Sequence, residues 1–530
     1  MINLLKQRKT FKYEIFVAVT LIVVTWVFFF QGGNTYPFLL MAAILGILMA
    51  ASLGANDVAN NMGPAVGSKV LTLTGAIIIA AIFEASGALI AGGDVVSTIK
   101  DGIIDQSQIT NPIIFMSIMM ATLLGASLWI AFATLFKAPV SATHSVIGAL
   151  IGAGLMAFGL SINWDSLFIV VSVFTAITGI SILIGLFFKY LIKSRYENNI
   201  KLSYSLGIVL FLLSLYVLYN YLFVDIYSIT NVLNGVSIVD WSQILQIAAS
   251  WIISPVMGGL IAVIIILAIR KTILKQSNRS DAAKKWVPIF VGIMAWAFAT
   301  YLALKGLKKV IHITPELAIF GGYVIAVIVF IGLRLYLSSK RTILKNSKKF
   351  INKLFNVPLI FAVALLSFAH GANDVANAIG PVAAINETIK DMIAGKTFGA
   401  SEVGIPFWVM LIGALGIATG LMAFGGRLIK TVGSEITKLN QIRAFAIALS
   451  ATITVIIASH LGLPVSSTHV SLGGIFGVGL LREHMKRLNG KDKDYIEKGM
   501  IKNIALAWII TLPVSALISA VTYFMIIKLV

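Results

Sequence analysis

Along most of this chain, apolar residues run unbroken for about twenty positions at a time, the length that crosses a bilayer as a helix. Such runs cover 14–30, 71–93, 167–192, 244–269, 316–338 and 503–528. Further candidate spans lie at 112–136, 143–160, 205–224, 286–304 and 357–376. None shows the short apolar–polar alternation of barrel strands. The pattern predicts an all-α polytopic membrane protein. Composition agrees: 58% of the 530 residues are hydrophobic and 12% charged, against about a quarter charged in soluble domains. With no cysteine, disulfides and thiolate metal sites are excluded.

The net charge of +20 would suit nucleic acid if it formed one patch. Instead it falls in short loops, Lys189–Lys201, Arg270–Lys285, Lys340–Lys353 and Arg482–Lys502, while 94–111 and 225–243 are acidic or neutral. That is the positive-inside pattern, with the basic loops in the cytoplasm. Lys305, Lys308 and Lys309 fit it less well. The first apolar run follows Lys6, Arg8, Lys9 and Lys12 like a signal peptide, but no small-residue cleavage site follows it. It reads as a retained helix with its N-terminus inside, which points to the plasma (inner) membrane.

Polar residues interrupt the runs at repeated places. "GANDVAN" occurs at Gly54–Asn60 and again at Gly371–Asn377, and nine of eleven positions agree across 54–64 and 371–381. "APVSATH" at Ala138–His144 is echoed by "LPVSSTH" at Leu463–His469, in the same order after the heptad. Two ordered motif pairs mark an internal duplication. The predicted organisation is an N-terminal membrane helix (1–36), a first repeat (37–192), a central membrane region (193–355) and a second repeat (356–530). An odd number of spans separates the heptads, so the copies are expected to be inverted, as in secondary transporters with broken helices or re-entrant hairpins. A parallel duplication with one miscounted helix is the alternative.

In the heptad, Asp57 and Asn60, and likewise Asn56 and Asn60, share a helix face. Gly63-Pro64 and Gly380-Pro381 follow, where a membrane helix can break and leave backbone groups to be met by protein, water or an ion. An ionisable residue in a span is a functional candidate; the competing reading is that the amides merely pin helices together. Pro139 and Pro464 suit helix starts. Ser141, Thr143, Ser466, Ser467 and Thr468 put hydroxyls at those starts, where free N–H groups and the helix dipole attract anions. Ordinary capping is the competing reading. For His144 and His469 a structural hydrogen-bonding role is expected, with a proton relay second, and the histidines show no metal-ligand spacing. Glu84 is a carboxylate inside a span. Gly148, Gly152, Gly154 and Gly159 suit close helix packing.

On the heptads, the PVSxTH pair, "FGGRLIKTVGSEIT" (Phe424–Thr437) and "ASHLGLPVSSTH" (Ala458–His469), the chain resembles the inorganic phosphate transporter (PiT) family over roughly 38–192 and 356–482. The resemblance implies inverted repeats, a central anion site, ion-coupled uptake and a homodimer. It assigns substrate binding to Asp57, Asn60, Ser141, Thr143, Asp374, Asn377, Ser466, Ser467 and Thr468. "DVANAIGP" looks more like the sodium-coupled branch than the proton-coupled one. Two features depart from the family: the middle region is unusually apolar, and Ala448 stands where an acidic residue is frequent, so Glu84 has no expected partner there.

Neither heptad nor PVSxTH core contains Lys or Arg. Two carboxylates sharing a low-dielectric site with a phosphate anion would repel one another, so a cation is expected to enter with the substrate. Sodium is expected first, at Asn56, Asp57, Asn373, Asp374 and Glu84, and protons second. No transition metal, cofactor or nucleic acid is expected. The sequence therefore points to cation-coupled symport of inorganic phosphate, with a sulfate permease of the same fold as alternative. An ion channel would need a continuous polar pore, and an enzyme a nucleophile–base or metal constellation; neither pattern is present.

Overall fold

The computed structural model describes residues 2–33, 35–93, 96, 104, 109–158, 241–305, 313–339, 346–396, 405–434, 438–460, 465–487 and 498–529. The expected spans at 167–192 and 205–224 lie outside the described residues, as does Pro464. Every regular element described is helical: α1 Ile2–Phe30, α2 Pro37–Gly67, α3 Leu73–Ala91, α4 Pro112–Leu135, α5 Ala142–Phe158, α6 Trp241–Ile269 with a π-turn at Arg270–Leu274, α7 Arg279–Lys305, α8 Pro315–Ser338, α9 Lys348–Lys353, α10 Asn356–Ile393, α11 Phe407–Phe424, α12 Gly426–Ser434, α13 Gln441–His460, α14 Ser467–Arg487 and α15 Lys498–Leu529. Eleven helices among the described residues are long and apolar enough to cross a membrane, and α5 is a shorter apolar one. The chain divides into one unit of Met1–Ala157 with Gln246–Val530 and another of Phe158–Leu245. The first unit carries both heptads and both PVSxTH segments.

The two heptad helices, α2 and α10, form the centre of that unit. From Asn56 to Ala65 every residue of α2 is buried, and α10 is buried without a gap from Ala362 to Asn386. A helix apolar on all sides belongs inside a bundle, and the heptad's polar residues are carried in with it. The two helices run antiparallel. Gly46, before the first heptad, lies against Val382, after the second, while Asp57 and Asp374 converge on one histidine between them. Homologous segments running in opposite directions make the repeat an inverted one.

Glycine contacts make the correspondence specific. Gly54 of α2 seats on the Ile417 backbone of α11, and Gly371 of α10 on the Glu84 backbone of α3; Gly420 meets Ala51 as Gly87 meets Phe368. In each case a Cβ would overlap a carbonyl oxygen, so only glycine lets the backbones approach this far. Gly148 and Gly152 of α5 meet Leu512 and Ala516 of α15, just as Gly473 and Gly477 of α14 meet Pro255 and Gly259 of α6. Thus α2, α3, α5 and α6 correspond to α10, α11, α14 and α15. The packing expected of Gly148 and Gly152 is observed, and it pairs α6, within the stretch 193–355, with α15.

The helix break expected at Gly63-Pro64 does not occur. α2 continues through Pro64, and α10 through Pro381. Proline costs one intrahelical bond, but α12 braces this stretch of α2, with Gly63 and Gly67 both against Gly433. The break falls instead at Gly425, between α11 and α12. There, Lys12 of α1 donates to the Ala423 carbonyl, and Tyr13 and Phe16 pack on Phe424.

Candidate functional site

The prolines mark where each heptad opens its backbone. Pro64 and Pro381 have no N–H, so the carbonyls four residues earlier, those of Asn60 and Asn377, lose their i+4 donor. The same register in both copies puts a freed carbonyl on the last asparagine of each heptad.

The starts of α5 and α14 face the heptads, and the threonine of each reaches the heptad of the opposite half. Thr468 at the head of α14 contacts the first heptad: its hydroxyl lies 2.8 Å from Asp57 Oδ1 and 3.2 Å from the Val140 carbonyl, and it accepts from Asn60 Nδ2 at 2.8 Å. Asn60 Nδ2 also lies 3.3 Å from Asp57 Oδ1. Thr143 at the head of α5 accepts from Asn377 Nδ2, of the second heptad, at 3.4 Å. Ser467 donates to Asp374 Oδ2 at 2.7 Å. Asp57, Asn60, Thr143, Asp374, Asn377, Ser467 and Thr468 thus form one cluster, every member buried.

The remaining expected site residues stand at its margins. Ser141 and Ser466 cap their helices: each Oγ accepts a backbone N–H, from His144 and His469 respectively, at 3.2 Å. These caps, rather than Pro139, set the start of α5, which begins at Ala142. Asn56 donates to Thr134 Oγ1 and the Ala138 carbonyl, and accepts from Val140 N–H, pinning α2 to the loop before α5. Asn373 does similar work, donating to the Val465 carbonyl at 3.2 Å and to Asp374 Oδ1 at 2.7 Å. Glu84 reaches the cluster only indirectly. Its Oε1 accepts from Asn61 Nδ2 at 2.8 Å, and its Oε2 lies 3.5 Å from His370 Nδ1.

His370 is the residue the motif reading missed. Its Nε2 lies 2.8 Å from Asp374 Oδ2 and 3.7 Å from Asp57 Oδ2, with the ring fully buried. Asp57, His370 and Asp374 each offer a ligand atom within 4.8 Å of the others, a set that could hold a metal ion. The signal was present: His370 directly precedes the second heptad and stands four residues before Asp374, one turn along the same face. The set contains a single histidine, so it lies outside what spacing among the histidines could reveal. Spacing along the chain reveals histidine pairs, whereas the fold combines one histidine with carboxylates from two halves.

His144 and His469 lie together in an aromatic cluster. Their rings pack against each other, tilted by 44° with 4.6 Å between centroids, flanked by Trp251 at 3.6 Å and Trp508 at 3.8 Å. His144 Nδ1 and both ring nitrogens of His469 have no hydrogen-bond partner. The two rings pack with these tryptophans between α5, α14, α6 and α15. Ala448 lies on α13, but the structural counterpart of Glu84 is Ile417, as the paired glycine contacts establish.

Chemically, the cluster is rich in acceptors. Asp57 Oδ2 and Asn60 Oδ1 are buried without a hydrogen-bond partner, a costly arrangement for a polar atom. Lys69 and Lys137 are exposed, outside the cluster. Oxygen donors of this kind suit a hard cation.

Comparison with known proteins bears on what this cluster serves. The family model described as "Phosphate transporter family" matches residues 53–232 and 226–519. A Helicobacter pylori (strain J99) protein named "Putative phosphate permease" is 43% identical over 459 residues, 86% of this chain and 71% of its own length. A Pyrococcus abyssi protein of the same description is 34% identical over 489 residues, 92% of this chain and 97% of its own. A solved structure named "The sodium-dependent phosphate transporter" is similar with a TM-score of 0.70 and 28% identity, covering 93% of this chain and 100% of that one. With eleven apolar helices among the described residues and these likenesses, the chain is a multi-pass integral membrane protein and belongs to the phosphate transporter family.

Proposed function

We propose that the protein is a sodium-coupled symporter of inorganic phosphate working by alternating access. The observation that carries this reading is the buried meeting of the two heptads, with unpartnered oxygens on Asp57 and Asn60, beside the hydroxyl-bearing starts of α5 and α14. Thr143 and Thr468, with the free N–H groups of those helix starts, would bind the phosphate oxygens. Asp57, Asn60, Asp374 and Asn377 would hold the cations, helped by the two carbonyls that the prolines free. Bringing phosphate beside two carboxylates without a cation would set like charges together in a low dielectric, so anion and cation entry are coupled. The name of the 28%-identical structure supports sodium as that cation. Alternating access follows the general pattern of inverted-repeat transporters, and a homodimer belongs to the same reading.

Proton coupling is the second reading, and His370 between Asp374 and Asp57 favours it. Phosphate uptake into proteoliposomes separates the two, with sulfate as competitor. Under an imposed sodium gradient with the proton gradient collapsed, saturable uptake is expected. Uptake only under a proton gradient in sodium-free buffer would transfer coupling to His370. Equal competition by sulfate would overturn phosphate selectivity, and channel-like conductance would overturn symport.

A further inference from the structure

The two halves of the cluster differ at four positions: Ser467, which bonds Asp374, stands where the first half has Ala142, and the other three positions meet. Asn61, Glu84 and His370 correspond to Ala378, Ile417 and Leu53. The pairing follows from the heptad register for the first and third, and from the matched glycine contacts for the second. Asn61, Glu84 and His370 form a chain: Asn61 Nδ2 to Glu84 Oε1 at 2.8 Å, Glu84 Oε2 to His370 Nδ1 at 3.5 Å, His370 Nε2 to Asp374 Oδ2 at 2.8 Å. All three side chains are fully buried.

Asn61 is the outermost link and touches none of the groups expected to meet substrate. Its amide ties one oxygen of Glu84, so the other is turned toward His370. It does so without adding charge, as a lysine there would. Its own Oδ1 has no hydrogen-bond partner, so the residue is a poor choice for stability alone. Alanine at the equivalent place in α10 packs into the same kind of helix without it.

We infer that Asn61 is a positioning residue which, by aiming Glu84 at His370, adds to the inequality of the two carboxylate seats toward the coupling cation. The inference rests on the cation-coupled reading above. The seat formed with Asp374 has an imidazole ring held against it from one side. The seat formed with Asp57 faces the same ring at the longer distance of 3.7 Å.

The test is the sodium dependence of phosphate uptake in proteoliposomes for wild type, Asn61→Ala, Glu84→Gln and the double variant. Asn61→Ala copies the second half. It is expected to raise the half-saturating sodium concentration about three- to tenfold, the range of a lost hydrogen bond of ~1 kcal/mol or somewhat more. The phosphate KM at saturating sodium is expected to stay within twofold. The double variant should match Glu84→Gln alone, because Asn61 acts only through that carboxylate. Asn61→Ser, which keeps a donor in a smaller side chain, should restore part of the sodium affinity and covers the case in which alanine fails to fold. A wild type without cation dependence would overturn the coupling reading and this inference together. A sodium-dependent wild type with an unchanged Asn61→Ala curve, or additive effects in the double variant, would overturn this inference alone.

Discussion

Compare the two heptad helices. α2 and α10 share an identical heptad, the same glycine crossings and the same proline four residues beyond the last asparagine. Their surroundings differ. Asp57 is bonded by Thr468 at 2.8 Å and keeps one oxygen without a hydrogen bond. Asp374 is bonded by Ser467, approached closely by His370, and joined by its neighbour Asn373. Duplication supplies two matched frames, and a few substitutions, such as Ser467 for Ala142 and His370 for Leu53, make them unequal. An inverted repeat needs matched frames for its opposed conformations. A site that must take both an anion and cations is free to use its two halves differently.

The comparison breaks most visibly at the carboxylates. Asp57→Asn and Asp374→Asn should each abolish most coupled uptake. Removing one partner from a buried charged network costs about 2–5 kcal/mol, roughly a thirtyfold loss or more, read as initial rates of radiolabelled phosphate uptake. If the frames were equivalent the two losses would be equal. Asp374→Asn is expected to be the worse, because it also strands His370.

Next are the threonines. Thr468→Val should weaken phosphate binding about tenfold to hundredfold, since a hydrogen bond to a charged group is worth roughly 1.5–3 kcal/mol. Thr143→Val should do less, because its contact with Asn377, at 3.4 Å, is longer and single. Calorimetric titration with phosphate at saturating sodium compares them, and affinities unchanged from wild type in both variants would return the two helix starts to simple capping.

At the glycine crossings the halves should behave alike. Gly54→Ala and Gly371→Ala each drive a methyl into a facing carbonyl, of Ile417 or Glu84. Overpacking of this kind costs about 1–3 kcal/mol, and both should lower the melting temperature in detergent by similar amounts. A large difference between them would mean that the frames are not matched even in packing. The smallest effect is expected outside both frames. A Cβ added at Gly321 on α8 would meet nothing within 4 Å, so Gly321→Ala should leave uptake unchanged. It should leave the melting temperature unchanged or slightly raised, by at most about 1 kcal/mol of helix propensity.

What could be read from the sequence alone was what depends on local composition and on identity between segments. Apolar runs dictate membrane helices because the bilayer leaves backbone polar groups no other partner, and the doubled motifs declare the repeat and its likeness to a transporter family. Asp57, Asn60, Asp374, Asn377 and the hydroxyls at the two helix starts were legible as chemistry because polar residues in such runs are costly to keep. Tertiary structure alone decided which group faces which. Thr468 of the second helix start meets the first heptad and Thr143 of the first meets the second, while Ser467 bonds Asp374 of its own half. Ser141 and Ser466 turn out to cap, Asn56 and Asn373 to pin, and α2 and α10 to pass through their prolines unbroken. His370, one turn before Asp374, and Asn61, one residue past a motif, look unremarkable in isolation. Their meaning comes from distances across helices far apart in the chain, and no periodicity along the sequence encodes such a distance.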